Sequence, residues 1–246
     1  MKNLCLLLAS LLATRVATSA SVPTPPMSTT HVATERQVRD VSPFTAVTAA
    51  GSMRVVLRQG SPQRVEVEAS TADQALVETA VKNGSLRIGR RHQGHKIWDN
   101  ERLTGPVTVY VTVPTLTAVA VAGSGSLTVE GAVQADELLV SVAGSGSLKM
   151  PQLTARSLTT TVAGSGSALL GGSCSRHTIT VNGSGGVQAT DLRTDDTTVR
   201  VSGSGDAQVH ALKTLAARTS GSGSVLVSGN PQITSSKSGS GSVRKL

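Results

Sequence analysis

From residue 117 to residue 246, apolar side chains fall on every second position in short runs, and Gly-Ser-Gly separates each pair of runs. The seven copies are Gly123-Ser124-Gly125, Gly144-Ser145-Gly146, Gly164-Ser165-Gly166, Gly183-Ser184-Gly185, Gly203-Ser204-Gly205, Gly221-Ser222-Gly223 and Gly239-Ser240-Gly241. Their spacings are 21, 20, 19, 20, 18 and 18 residues. Before each corner stand pairs such as Val119/Val121, Val140/Val142 and Val199/Val201; after it come Leu127/Val129, Leu148/Met150 and Val225/Val227. Period-two alternation on both sides of a glycine turn predicts two strands, each buried on one face. A flexible linker would have polar flanks, and a meander of hairpins gives no reason for one turn to recur at this period.

Stacked coils do give a reason. In a parallel β-solenoid each coil lies about 4.8 Å above the last, so equivalent residues form columns along the axis. Glycine at the corner supplies positive φ and leaves out a Cβ that would crowd the neighbouring coil. Six residues before the corner come Leu138, Leu158, His177, Thr197, Leu215 and Ile233; nine after it, Leu153, Leu192 and Leu212 predict a third inward corner. In the last copy Ser235, Lys237 and Lys245 replace apolar residues, as an end coil needs in order to stop further stacking. The expected fold is all-β, a parallel β-solenoid of about seven Gly-Ser-Gly coils with an N-terminal cap that contains a β-hairpin.

The N-terminal side divides further. Met1-Lys2-Asn3, the apolar run Leu4 to Leu12 and the small residues Thr18-Ser19-Ala20 read as a secretory signal peptide over 1–20. Cys5 lies too early to be a lipid-attachment cysteine. Residues 21–43, with Pro23, Pro25, Pro26 and Pro43 among Ser and Thr, read as a flexible leader. Residues 44–114 read as the cap of a continuous domain whose repeats occupy 115–246. Within the cap, Met53–Leu57 and Val65–Ala69 around Gln59-Gly60-Ser61-Pro62 predict the hairpin, Asp73–Val81 a short helix, and Leu86-Arg87-Ile88 and Val107–Val113 two further strands.

Phe44 and the stretch to Ala69, Asn83-Gly84-Ser85-Leu86-Arg87-Ile88, Val109-Tyr110-Val111-Thr112-Val113-Pro114-Thr115-Leu116 and the reiterated Val-x-Gly-Ser-Gly coils together resemble one bacterial family, the "putative autotransporter adhesin, head GIN domain" family. The resemblance covers about residues 44–242. It implies an exported β-solenoid with an adhesin-like role. Because the repeats run to Leu246, no membrane β-barrel is expected after them.

Composition narrows the interior. One Trp, one Tyr and one Phe in 246 residues exclude a core of large aromatics and a carbohydrate or base site built from several stacking rings. Lys and Arg number 23 against 15 Asp and Glu, a net charge of +8, which becomes +6 when Lys2 and Arg15 leave with the signal peptide. For an exported chain this balance points away from nucleic acid and toward anionic glycans, lipid headgroups or a simply solvated surface. The mature chain then keeps one cysteine, Cys174, and so forms no internal disulfide.

Several groups are candidates for chemistry. Arg87, Arg90, Arg91 and Lys96, with His92, His95 and Trp98 nearby, form the densest charge and a candidate anion contact. No further ligands at metal spacing accompany the two histidines, and no cofactor or metal is expected. The acids Glu130, Asp136, Glu137, Asp191, Asp195, Asp196 and Asp206 are the material for a polysaccharide-cleaving β-helix enzyme, with Asp191, Asp195 and Asp206 as its test group. Only Asp206 directly follows a Gly-Ser-Gly, which excludes a calcium ladder. Cys174 and His177 are a nominal nucleophile and base.

Outward-facing Thr159, Thr161, Thr178, Thr180 and Thr198, with Ser141, Ser202, Ser220 and Ser236, predict a hydroxyl ladder able to match a repetitive glycan or ordered water. Ala118, Ala120, Arg200 and Arg218 interrupt it. The expected function is a non-enzymatic exported cell-envelope or surface module, adhesin-like or structural. Its partners are cell-envelope glycans or surface proteins, with no nucleic acid and no membrane-spanning segment in the mature chain. Glycan or ice binding by the ladder and polysaccharide cleavage are the competing readings.

Overall fold

Gly51, Gly123, Gly144, Gly164, Gly183, Gly203, Gly221 and Gly239 stack in one column with φ between +101° and +119°. The computed structural model describes residues 34–91 and 103–246. Its N-terminal part holds β1 (Glu35–Arg39), β2 (Ala46–Gly51), β3 (Arg54–Gln59), β4 (Arg64–Ala69), α1 (Thr71–Leu76), β5 (Val77–Lys82), β6 (Ser85–Arg90) and β7 (Thr108–Val113). The repeats follow as β8 (Ala118–Gly123), β9 (Ser126–Glu130), β10 (Val133–Gly144), β11 (Ser147–Gly164), β12 (Ser167–Gly183), β13 (Gly186–Gly203), β14 (Asp206–Gly221), β15 (Ser224–Ser228), β16 (Gln232–Ser238) and β17 (Ser242–Lys245). The repeats form a parallel β-solenoid whose seven Gly-Ser-Gly corners bound six complete turns.

Each turn has three sides. Residues before the corner pair coil to coil (Val140 with Val119 below and Thr160 above), as do residues after it (Leu148 with Leu127 and Ala168). A third side runs through Val133–Ala135, Leu153–Ala155, Gly172–Cys174 and Leu192–Thr194. Pairing lapses at Asp136, Arg156, Ser175 and Asp195, which form the bend back onto the pre-corner side. The alternation seen in the sequence becomes columns of buried side chains, among them Val121, Val142, Val162, Val181 and Val201. At roughly 1.5–3 kcal/mol for each fully buried Val or Leu, these columns are the main source of stability.

The two glycines of a corner have different reasons. The first needs positive φ. The second has no such φ, but a Cβ on Gly166 would lie 2.6 Å from the carbonyl oxygen of Gly146 in the coil below. Stacking alone demands glycine there.

Five local expectations change. The corner column begins one coil earlier than Gly-Ser-Gly does: β2 pairs parallel with β8 and β3 with β9, so Gly51-Ser52-Met53 is the lowest corner. Met53 is tolerated where later coils need glycine because β6 and β7, which pair on the far side of β2 and β3, end at Arg90 and begin at Thr108 and so are not joined by a tight corner beneath it. The strands on either side of Gln59–Pro62 do not form a hairpin; β7 lies between them, parallel to β3 and antiparallel to β4. The hairpin of the cap is instead β5–β6, turning at Asn83-Gly84, both with positive φ. Residues 35–39, inside the expected leader, form β1 antiparallel to β4.

The helix is shorter and earlier than expected. Ser70 caps it, its Oγ accepting from the Asp73 N–H at 3.1 Å, and the chain becomes extended at Val77. Leu212 is 47% exposed rather than inward. Its coil is two residues shorter than the previous one, and His210 and Ala211 take the places of Arg193 and Thr194, leaving no counterpart to Leu192. Leu212 and Lys213 are pushed out at the bend.

Candidate functional site

The outward rows of the solenoid are set by register. Thr159, Thr178 and Thr198 are consecutive partners in one column; Ser141, Thr161 and Thr180 are consecutive in the next. Both columns end abruptly: Leu139 and Ala216 flank the first, Ala120 and Arg200 the second. Ser202 and Ser220 belong to a third column nearer the corner, continuing Ala163 and Asn182, while Ser236 follows Arg218. None of the five threonine hydroxyls is bonded to another protein group among the described residues.

A longer row runs along the corner edge. Ser124, Ser145, Ser165, Ser184, Ser204 and Ser222 each donate a backbone N–H to the corner glycine of the coil below, at 2.9–3.0 Å, and all are exposed. Ser52 begins the row and Ser240 ends it. The tripeptide itself announces this row, yet its middle serines look like turn filler until the coils are stacked.

Six of the seven acids are occupied, and they do not converge. Asp136 accepts a two-pronged contact from Arg156 (Nε 2.6 Å, Nη2 2.9 Å), and Glu137 takes a third bond from the same guanidinium at 3.2 Å. The contact with Asp136 leads the effects that hold the guanidinium fully protonated and the Asp136 carboxyl below its usual range. Asp195 pairs with Lys213 at 3.0 Å, and Asp196 accepts from the Thr214 hydroxyl at 2.7 Å. Glu130 pairs with Arg58 at 3.1 Å. Asp206 accepts the Ser224 N–H at 2.9 Å on the post-corner side, away from Asp195 at the bend and Asp191 on the third side. The three aspartates of the enzymatic reading therefore share no pocket. These bonds staple successive coils together.

The basic cluster is partly described. Arg87 is exposed on β6 beside Thr48. Arg90 lines a hollow of about 350 Å³ with Ala50, Gly51, Ser52, Met53 and Leu103. Arg91 donates its N–H to the Leu76 carbonyl. Lys96, His92, His95 and Trp98 lie outside the described residues, as does the expected signal peptide.

Cys174 and His177 point inward. Burial is the chief cause that raises the Cys174 thiol above its usual value, and the thiol donates to the Arg176 carbonyl at 2.9 Å. His177 is 2% exposed, and desolvation pushes its pKa down to about 3. Its Nε2 lies 2.9 Å from the Thr160 hydroxyl. Neither has the exposure or the ionisation that nucleophilic catalysis requires. Among the described residues no group of His, Cys, Asp or Glu gathers as for a metal ion, and no helix is long and apolar enough to cross a membrane.

A family profile described as "Putative auto-transporter adhesin, head GIN domain" matches residues 43–231. The chain belongs to this family. As a head GIN domain protein it shares its fold with several solved structures. A "putative adhesin" from Bacteroides fragilis is 22% identical with a TM-score of 0.77, over 87% of this chain and 97% of that one. A "putative lipid binding protein" from Parabacteroides distasonis is 23% identical with a TM-score of 0.72, over 87% and 96%. A "putative adhesin" from Parabacteroides merdae is 19% identical with a TM-score of 0.68, again over 87% and 96%. At these identities the likeness concerns the fold. No curated protein matches the chain.

Proposed function

We propose that this head GIN domain is a non-enzymatic, exported module of the bacterial cell envelope or surface that holds envelope glycans or surface proteins against its flat coil faces. The observation that carries this reading is the set of in-register hydroxyl columns, Thr159/Thr178/Thr198 beside Thr161/Thr180 and the corner serines, whose hydroxyls bond to no other protein group among the described residues. Hydroxyls on a rigid stacked frame lose little freedom on binding, so weak contacts repeated along the axis add up. The engagement of the acids by Arg58, Arg156, Lys213 and Thr214 supports binding over cleavage. A threonine array only three coils deep suits a glycan segment better than an ice lattice.

The test is a glycan and envelope-polymer array probed with the full chain at low and high salt. Saturable binding that survives salt supports the module. A blank array, or binding that salt abolishes throughout, overturns it and leaves a structural solenoid.

A further inference from the structure

A groove of about 340 Å³ opens where the lowest corners meet the post-corner side, lined chiefly by Ser52, Arg54, Thr108, Ser124, Ser126 and Ser145. Its size falls within the ~300–1,000 Å³ range of small-molecule sites. Four strands contribute to it: β3, β7, β9 and, through Ser147, β11. Arg54 on β3 faces outward with Thr108 of β7 as its Cα partner on one side and Ser126 of β9 on the other.

Arg54 differs from its neighbours. On the same part of the sheet Arg36 bonds Glu68 at 2.7 Å and also lies over the Tyr110 ring, Arg58 bonds Glu130 at 3.1 Å, and Arg64 bonds Glu66 at 2.7 Å. Arg54 has no acidic partner among the described residues. The acid in its own row, Glu68, stands beyond Thr108 and is taken by Arg36. Among the described residues, none of the six lining side chains named above bonds to another protein group.

We propose that this groove binds an acidic sugar residue of a polysaccharide, with its carboxylate or sulfate on the Arg54 guanidinium and its ring hydroxyls on the serines. A planar guanidinium fork matches two oxygens of such an anion, and serine hydroxyls both donate to and accept from sugar hydroxyls. A polymer is favoured over a free anion because the hydroxyl row continues past the groove through Ser165, Ser184 and Ser204, about 4.8 Å apart. Arg54, read in the sequence only as part of a strand, is thereby added to the Arg87–Lys96 stretch as a candidate anion contact. This proposal rests on the surface-module reading and gives it a site.

The full chain is titrated calorimetrically with trigalacturonate, a sulfated trisaccharide and neutral maltotriose, alongside Arg54→Gln and Arg200→Gln, the latter removing an exposed arginine on the pre-corner side. Trigalacturonate or the sulfated sugar should saturate one site, and Arg54→Gln should weaken it about tenfold or more, as expected for loss of a charged hydrogen-bonding partner. Arg200→Gln should bind like the parent. Because Arg54 is exposed and unpaired among the described residues, its variant should melt with the parent. Equal affinity of Arg54→Gln and parent overturns the site, as does failure of both acidic sugars to bind. An array-positive chain whose binding ignores Arg54→Gln loses the groove but keeps the surface-module reading, whereas a blank array removes that reading itself.

Discussion

The carbonyl oxygen of Met53 lies 2.5 Å from where a Cβ on Gly125 would stand. One coil up, the same position must be glycine, because the backbone below leaves no room for a methyl group. Met53 has no such constraint and packs into the core instead, 4% exposed. Corner sequence therefore records whether another tight corner lies beneath.

This separates two costs of replacing a corner glycine. Gly51 has φ +101° with nothing within 4 Å of a Cβ, so Gly51→Ala carries only conformational strain, about 1–2 kcal/mol. Gly164 has φ +109° and, in addition, the Gly144 carbonyl oxygen 2.6 Å from its Cβ position. Gly164→Ala should be the more destabilising by at least ~1 kcal/mol in urea unfolding, typical of overpacking. Equal losses would show that the stack yields at its corners.

Asp73 joins the helix to the chain that returns toward β7. Its carboxylate accepts from the Ser70 hydroxyl at 2.8 Å, the Thr104 N–H at 2.8 Å, the Thr104 hydroxyl at 3.1 Å and the Gly105 N–H at 3.0 Å. Burial opposes its ionisation, but these donors outweigh burial and hold the carboxyl below its ordinary value of 3.8. A lowered carboxyl pKa stabilises the fold above pH 3.8, and that contribution is lost as pH falls through the folded-state value. Asp73→Ala should cost about 1–3 kcal/mol at neutral pH, with the gap to the parent narrowing in acid. A gap that stays constant with pH would show that the carboxylate charge is not what anchors Thr104.

His177 occupies a column with Leu138, Leu158, Thr197 and Leu215, and its Nδ1 has no partner among the described residues. Neutral in the fold down to about pH 3 but protonated below 6.5 when unfolded, it makes the protein lose stability as pH falls from 6.5 toward 3. His177→Leu alone strands the Thr160 hydroxyl, a cost of about 1–3 kcal/mol. Thr160→Val with His177→Leu removes both polar partners and should melt higher than either single variant, with a flatter profile between pH 6.5 and 3. An unchanged slope in the double variant would assign the acid sensitivity elsewhere.

Much of the fold was legible because stacking writes the same local demand into every coil. The seven Gly-Ser-Gly corners, the inward Val and Leu columns and the threonine array all follow from period two combined with a period near 20. Each is a property of residues close in sequence. The polar end coil at Ser235 and Lys237 was legible for the same reason.

What only the tertiary structure decided is which strands meet. Alternation marks the buried face of β3 and β4 equally well whether they pair with each other or with β7, because it carries no information about a partner 50 residues away. Gly51-Ser52-Met53 hid the first corner because the rule that exposes the others, glycine over a corner stacked beneath it, does not act on the lowest one. Leu212 followed a fixed offset that a shorter coil does not keep. Arg54 stands apart for the same physical reason: its neighbours Thr108, Ser126 and Ser145 come from three separate stretches of chain, and whether a guanidinium is paired or free depends on charges that folding, not sequence order, brings beside it.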